Sequence, residues 1–150
     1  MDALAAIRPD EWNLWLFLHI LGALGLVGAL SAAAYYLFRA RRDSSAGLSR
    51  VGFKILLLGA IPSYLVMRIS AQFLLSEENL EDSDAAWLTI GFITSEPGLL
   101  LLLGATIASG VAMRRAEGSI GRGPAVAAWC CAALLVALTV TVWAMTTKPV

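Results

Sequence analysis

Four runs of apolar residues, each long enough to cross a hydrocarbon layer, leave this chain little choice of fold. They extend from Trp12 to Phe38, Val51 to Leu75, Trp87 to Met113 and Ala125 to Met145. A transmembrane helix needs about 20 such residues. Hydrophobic residues make up 59% of the chain, well above the roughly 45–50% of a soluble domain, and the mean hydropathy is +0.75. The expectation is an all-α membrane protein, a four-transmembrane-helix antiparallel bundle forming a single domain over residues 1–150. The short links 39–50, 76–86 and 114–124 favour antiparallel neighbours. The first run lacks a basic leader and outruns the apolar core of a signal peptide, so it is expected to stay in the mature chain.

Net charge is zero, but the charges are segregated. Arg39, Arg41, Arg42, Arg50 and Lys54 lie around the first link, and Arg114, Arg115 and Arg122 around the third. The opposite side carries only Arg8 and Lys148 as basic residues, together with the acidic link Glu77, Glu78, Glu81, Asp82 and Asp84. The positive-inside rule then places both termini outside. Trp12, Trp15, Trp87 and Trp143 fall near the expected outer boundary, and Trp129 near the inner one, where indole rings prefer to sit. The acidic link lacks the alternating ligands and glycine of a calcium loop. It reads as a solvated segment in which Asp82, Ser83 and Asp84 start the third helix.

Polar residues inside the runs mark where a site would be. With 1.5 Å of rise per residue, His19, Arg68 and Glu96 lie at roughly 10, 10 and 13 Å below the outer boundary, one layer built from three helices. Ser95, Thr94, Thr139 and Thr141 share that half, and Tyr64, Arg68 and Gln72 form a four-spaced polar row on the second helix. An ionised side chain in mid-span costs about 2.5–3.5 kcal/mol on insertion scales, so such groups usually face the bundle and pair. An Arg68–Glu96 ion pair is therefore expected, with His19, Tyr64 and Gln72 as further candidates for ligand binding or proton relay. The same pair could serve only to register the helices, and His19 could be a packing residue. Pro62 and Pro97 each remove a backbone donor and can open their helices near this layer.

Gly22, Gly25 and Gly28, with Ala29 and Ala32, give the first helix a face of small residues for close packing, inside the bundle or against a second copy. Gly104, Ser109 and Gly110 offer a similar surface on the third. Adjacent residues on a helix point about 100° apart, so Cys130 and Cys131 make a poor chelating pair and read as small hydrophobes. No metal site, cofactor, catalytic set or nucleic-acid signature is expected. One histidine excludes a bis-histidine haem clamp within one chain, although His19 could supply one axial ligand and Met67 another.

At "WLFLHILGALGLVGAL" the first helix resembles the opening helix of CopD-like membrane proteins, which implies a copper-related or haem-related role. With "VMRISAQFLL", "GFITSEPGLLLLL" and "WAMTTKP", the whole chain resembles small four-span bacterial integral membrane proteins, which implies a bacterial inner-membrane location. Four functions are consistent with these residues. The favoured one is a non-enzymatic module that binds a membrane lipid or small amphipathic or anionic ligand through Arg68. The others are a proton-coupled transporter or channel subunit using Glu96 and His19, a structural accessory subunit, and haem binding at His19.

Overall fold

The computed structural model describes residues 14–77, 86–115 and 121–146, all of whose regular elements are helical. Helix α1 spans Leu14–Arg42, α2 Ala46–Ile55, α3 Ile61–Glu77, α4 Ala86–Arg115 and α5 Gly123–Thr146. A π-helical turn, Leu56–Ala60, joins α2 to α3 without a break. Four helical stretches, with α2, the π turn and α3 counted as one, are long and apolar enough to cross a membrane. Trp12, Arg8, Lys148 and the acidic residues Glu78, Glu81, Asp82 and Asp84, with Ser83, lie outside the described residues. So do the side chains of Glu77, Trp87 and Arg115.

The helices outrun the apolar segments at their basic ends. The link expected over 39–50 shrinks to three residues, Asp43, Ser44 and Ser45, because α1 continues through Arg39, Arg41 and Arg42 and α2 begins at Ala46. Long basic side chains have no reason to end a helix, since their heads can reach water while the backbone stays bonded. The stop comes instead from local hydrogen bonding. Ser44 adopts a left-handed φ of 48°, and the Ser45 N–H bonds the Ala40 carbonyl at 3.0 Å, the six-residue closure of a Schellman motif. Ser45 then caps α2, its hydroxyl accepting from the Leu48 N–H at 3.4 Å. Arg39 and Asp43 form an exposed ion pair at 2.9 Å beside this turn.

The π turn has a cause in the sequence. Pro62 cannot donate to the Leu58 carbonyl, and its ring would crowd that carbonyl in a regular α-helix. The turn just before it widens, and the Ile61 N–H reaches back to the Leu56 carbonyl. One extra residue in a turn rotates everything after it by about 100° relative to an uninterrupted helix. The register of α3, and hence the direction of Tyr64 and Arg68, depends on this insertion. Pro97, by contrast, lies inside the continuous helix α4.

Close approaches show how the helices lie together. A Cβ added at Gly22 would come within 2.6 Å of the Met67 backbone nitrogen, one at Gly25 within 2.7 Å of the Ser63 hydroxyl, one at Gly59 within 3.3 Å of Ala29, and one at Gly52 within 2.7 Å of Leu37. Gly98 approaches Leu134, and Gly123 meets Ala108 and Ala112. Thus α1 lies against α2 and α3, and α4 against α5, while α5 also packs on α1. Among the described residues, α4 touches α2 but meets α3 only sparsely.

Residue sizes are distributed inside out relative to a soluble protein. The core is rich in Ala33, Ala34, Ala40, Ala60, Ala105, Ala127 and Ala128, around Leu26, Leu30, Leu37, Leu56, Leu102 and Leu134. Large side chains such as Leu24, Leu58, Ile93, Leu100 and Ile107 project outward, Leu58 with 72% of its surface exposed. In water such a surface would be an aggregation hazard. In hydrocarbon it is matched by the solvent, and small residues inside let the backbones approach.

Candidate functional site

Within this bundle the polar layer assembles from α1, α3 and α4. His19 lies one turn into α1, and its Nδ1 donates to the Met67 carbonyl on α3 at 3.0 Å. A carbonyl only accepts, so this contact places a proton on Nδ1. The same carbonyl receives the Ser70 hydroxyl at 3.1 Å, a group that also donates to Val66 at 2.6 Å. His19 is half-buried and closes the α1–α3 seam beneath the stacked rings of Trp15 and Phe73, whose centroids are 4.1 Å apart. In the seam it acts as a cross-helix bolt.

Tyr64 sits on a different face of α3. It is only 4% exposed, and its hydroxyl donates to the Ser95 carbonyl of α4 at 2.8 Å. This bond spans the thinly packed contact between α3 and α4. Arg68, half-buried, follows one turn along α3, and Glu96 is the next residue after Ser95 on α4. Both charges are near enough to the Tyr64 hydroxyl to act on it electrostatically. Further along the α4–α5 seam, the Thr141 hydroxyl donates to the Ala137 carbonyl at 3.0 Å and shares a hydrogen bond with the Thr94 hydroxyl at 2.8 Å.

Arg68 and Glu96 thus lie on neighbouring helices, each acting on the Tyr64 hydroxyl, and an exposed ion pair joins Arg39 to Asp43. Helices α3 and α4 lean on α1 and α5 respectively, and Glu96 is exposed on α4. Gln72 is likewise exposed, so the row Tyr64, Arg68, Gln72 runs from the interior to the surface and does not line one pocket wall. The small-residue face of α1 is divided. Gly22 is buried against Met67 of the same chain, whereas Gly25, which also approaches Ser63, and Gly28, with nothing within 4 Å, are exposed.

The chain matches no protein-family model, no curated protein and no solved structure. Its chemistry must therefore be argued from its own residues. What the site holds is a guanidinium, a phenol fixed by its own donated bond with lone pairs left to accept, and a carboxylate, all beside one helix seam. His19 is bonded to the Met67 carbonyl at the α1–α3 seam, and Met67 is buried. Ser63 and Ser70 were not singled out by depth alone. Their signal is the i, i+4, i+7 spacing Ser63, Met67, Ser70, which is the stripe of α3 that meets α1.

Cys130 and Cys131 are free thiols in α5, Cys131 buried. Neither lies among the contacts of the polar layer.

Proposed function

We propose that this chain is a multi-pass protein of a bacterial inner membrane, an antiparallel four-span bundle with both termini outside, that binds a lipid or small amphipathic anion at the α3–α4 seam without catalysing a reaction. The antiparallel arrangement is supported by the order of close approaches between the first two spans: 22 with 67, 25 with 63, 29 with 59, 37 with 52. The orientation is supported by Arg39, Arg41, Arg42, Arg50, Lys54, Arg114 and Arg122 gathering at one end.

The binding reading rests on one observation. A half-buried arginine stands one turn from a partly buried cross-helix hydrogen bond, where two helices are otherwise in thin contact. Arginine presents a planar fork suited to phosphate or carboxylate oxygens. Tyr64 holds the seam at one level while leaving the surface above it for acyl or other apolar groups. The exposed apolar side chains Leu65 and Ile69 of α3 and Ile93 of α4 would flank such a chain.

The test is thermal unfolding of the detergent-purified protein with and without added phosphatidylglycerol. The expected result is a rise in Tm with wild type that is lost in Arg68→Leu and kept in Arg114→Leu, a charge control at the other end of α4. The Tm of each variant without lipid reports whether it still folds. An equal rise in both variants would contradict the proposal.

A further inference from the structure

One cross-helix contact lies far from the polar layer, at the basic end of the bundle. Phe38 of α1 and Trp129 of α5 meet edge to face, with ring centroids 5.5 Å apart and planes at 89°, yet Phe38 stays 39% and Trp129 66% exposed. The pair fixes which sides of α1 and α5 lie together there. At about 100° per residue, Arg42 lies roughly 40° round α1 from Phe38, and Arg122 roughly 20° round α5 from Trp129. Arg122 belongs to that spiral because its carbonyl accepts the Val126 N–H at 3.0 Å. Both arginines are exposed. At about 1.5 Å of rise per residue they stand roughly 6 and 10 Å beyond the rings, at the helix ends. Asp43, the carboxylate of the α1–α2 turn, lies about 140° round from Phe38 and is held by Arg39 at 2.9 Å. The first turn of α5 has no acidic residue. One outward face therefore joins two cations to an aromatic, apolar surface two helices wide.

We infer that this α1–α5 face binds a phospholipid with two phosphates, diphosphatidylglycerol, its phosphates on Arg42 and Arg122 and its acyl chains over Phe38 and Trp129. Two guanidinium forks on two helices match two phosphodiesters joined by a short glycerol bridge. Basic groups at the membrane-facing end of a helix pair suit such headgroups, and an exposed indole sits at the level where headgroup gives way to chain. A single phosphodiester satisfies one arginine at a time. A zwitterionic headgroup brings its own cation towards two others. A soluble anion meets the arginines but leaves the apolar surface uncovered, where Tyr35, 60% exposed, and Val126, 50% exposed, extend the rings on either helix. The face shares no residue with the α3–α4 seam, so it stands or falls independently of the binding reading above.

Trp129 is itself the reporter. The full chain is reconstituted in phosphatidylcholine vesicles holding a small share of brominated phosphatidylcholine, phosphatidylglycerol or diphosphatidylglycerol, matched for bromine, which quenches indole emission on contact. Trp129 emission is the difference between each protein and its Trp129→Phe counterpart. Brominated diphosphatidylglycerol is expected to associate with Trp129 roughly fivefold over phosphatidylcholine, the scale of two exposed charge contacts, and phosphatidylglycerol roughly twofold. The double variant Arg42→Gln, Arg122→Gln should bring all three to parity. Lys54→Gln, which removes a charge from the same end but on α2, should keep the preference. Thermal unfolding checks that each variant is folded, and high salt should shrink the wild-type preference with no substitution at all. Equal quenching of wild type by the three lipids would overturn the inference, as would a preference indifferent to salt or to the two arginines. Quenching by phosphatidylglycerol equal to that by diphosphatidylglycerol would overturn the two-phosphate assignment. A loss in Lys54→Gln as large as in the double variant would show that the charge of the whole end, not this face, attracts the lipid, and would overturn the site.

Discussion

Gly22 and Gly28 belong to the same spaced row of small residues, yet a methyl group at each would meet very different surroundings. At Gly22 it would lie 2.6 Å from the Met67 backbone nitrogen and 2.9 Å from the Ser63 carbonyl, and backbone cannot swing away as a side chain can. Gly22→Ala should therefore destabilise the bundle by about 1–3 kcal/mol, the usual range for overpacking. Gly28→Ala meets nothing within 4 Å and should be neutral or stabilising by up to about 1 kcal/mol, because alanine is the better helix former. Thermal unfolding of the two variants checks both, and similar losses at the two sites would contradict the packing described. Ser44, at φ 48°, bears the strain of a left-handed side-chain residue in a helix-ending turn. Ser44→Gly should raise stability by roughly 0.5–1 kcal/mol, read as a higher Tm. The small-residue row was legible in the sequence, but which glycine meets a neighbour was not. A helix apolar all round carries no polar face to fix its rotation.

At the level of elements, Pro62 sets the direction of α3. Restoring its N–H in Pro62→Ala should let the π turn anneal into regular α-helix and rotate Tyr64 away from Ser95. A double-mutant cycle makes this measurable. Tyr64→Phe should cost about 0.5–1.5 kcal/mol in the wild-type background, the value of one hydrogen bond, and close to nothing in the Pro62→Ala background. The same cost in both would mean that the π turn does not govern the contact. Both prolines were legible as interruptions, and the difference between them was not. Pro62 follows the small pair Gly59 and Ala60, which leave room for a widened turn, whereas Pro97 follows Ile93, Thr94, Ser95 and Glu96 and lies in an unbroken helix. The helices extend past the apolar runs for a related reason: hydropathy marks where lipid contact stops, not where backbone hydrogen bonding stops.

On the scale of the whole molecule, small residues are buried and large ones displayed outward, the distribution that suits four helices long and apolar enough to cross a membrane, and composition foretold the four apolar helices. Counting residues from the boundary also put His19, Arg68 and Glu96 at a common depth. Depth is one coordinate of two. The direction each residue faces around its helix depends on the π turn and on α3 and α4 leaning against different neighbours. The thin contact between α3 and α4 beside Arg68 is the basis for reading the seam as a place for a ligand. A density map of the protein in phospholipid nanodiscs, at a resolution that shows lipid headgroups, tests this most directly. The account predicts headgroup density within hydrogen-bonding reach of the Arg68 guanidinium, acyl density along α3 and α4, and the Tyr64 to Ser95 bond intact. Helices α3 and α4 closed against each other along their full length, with Arg68 and Glu96 joined and no lipid between them, would contradict it.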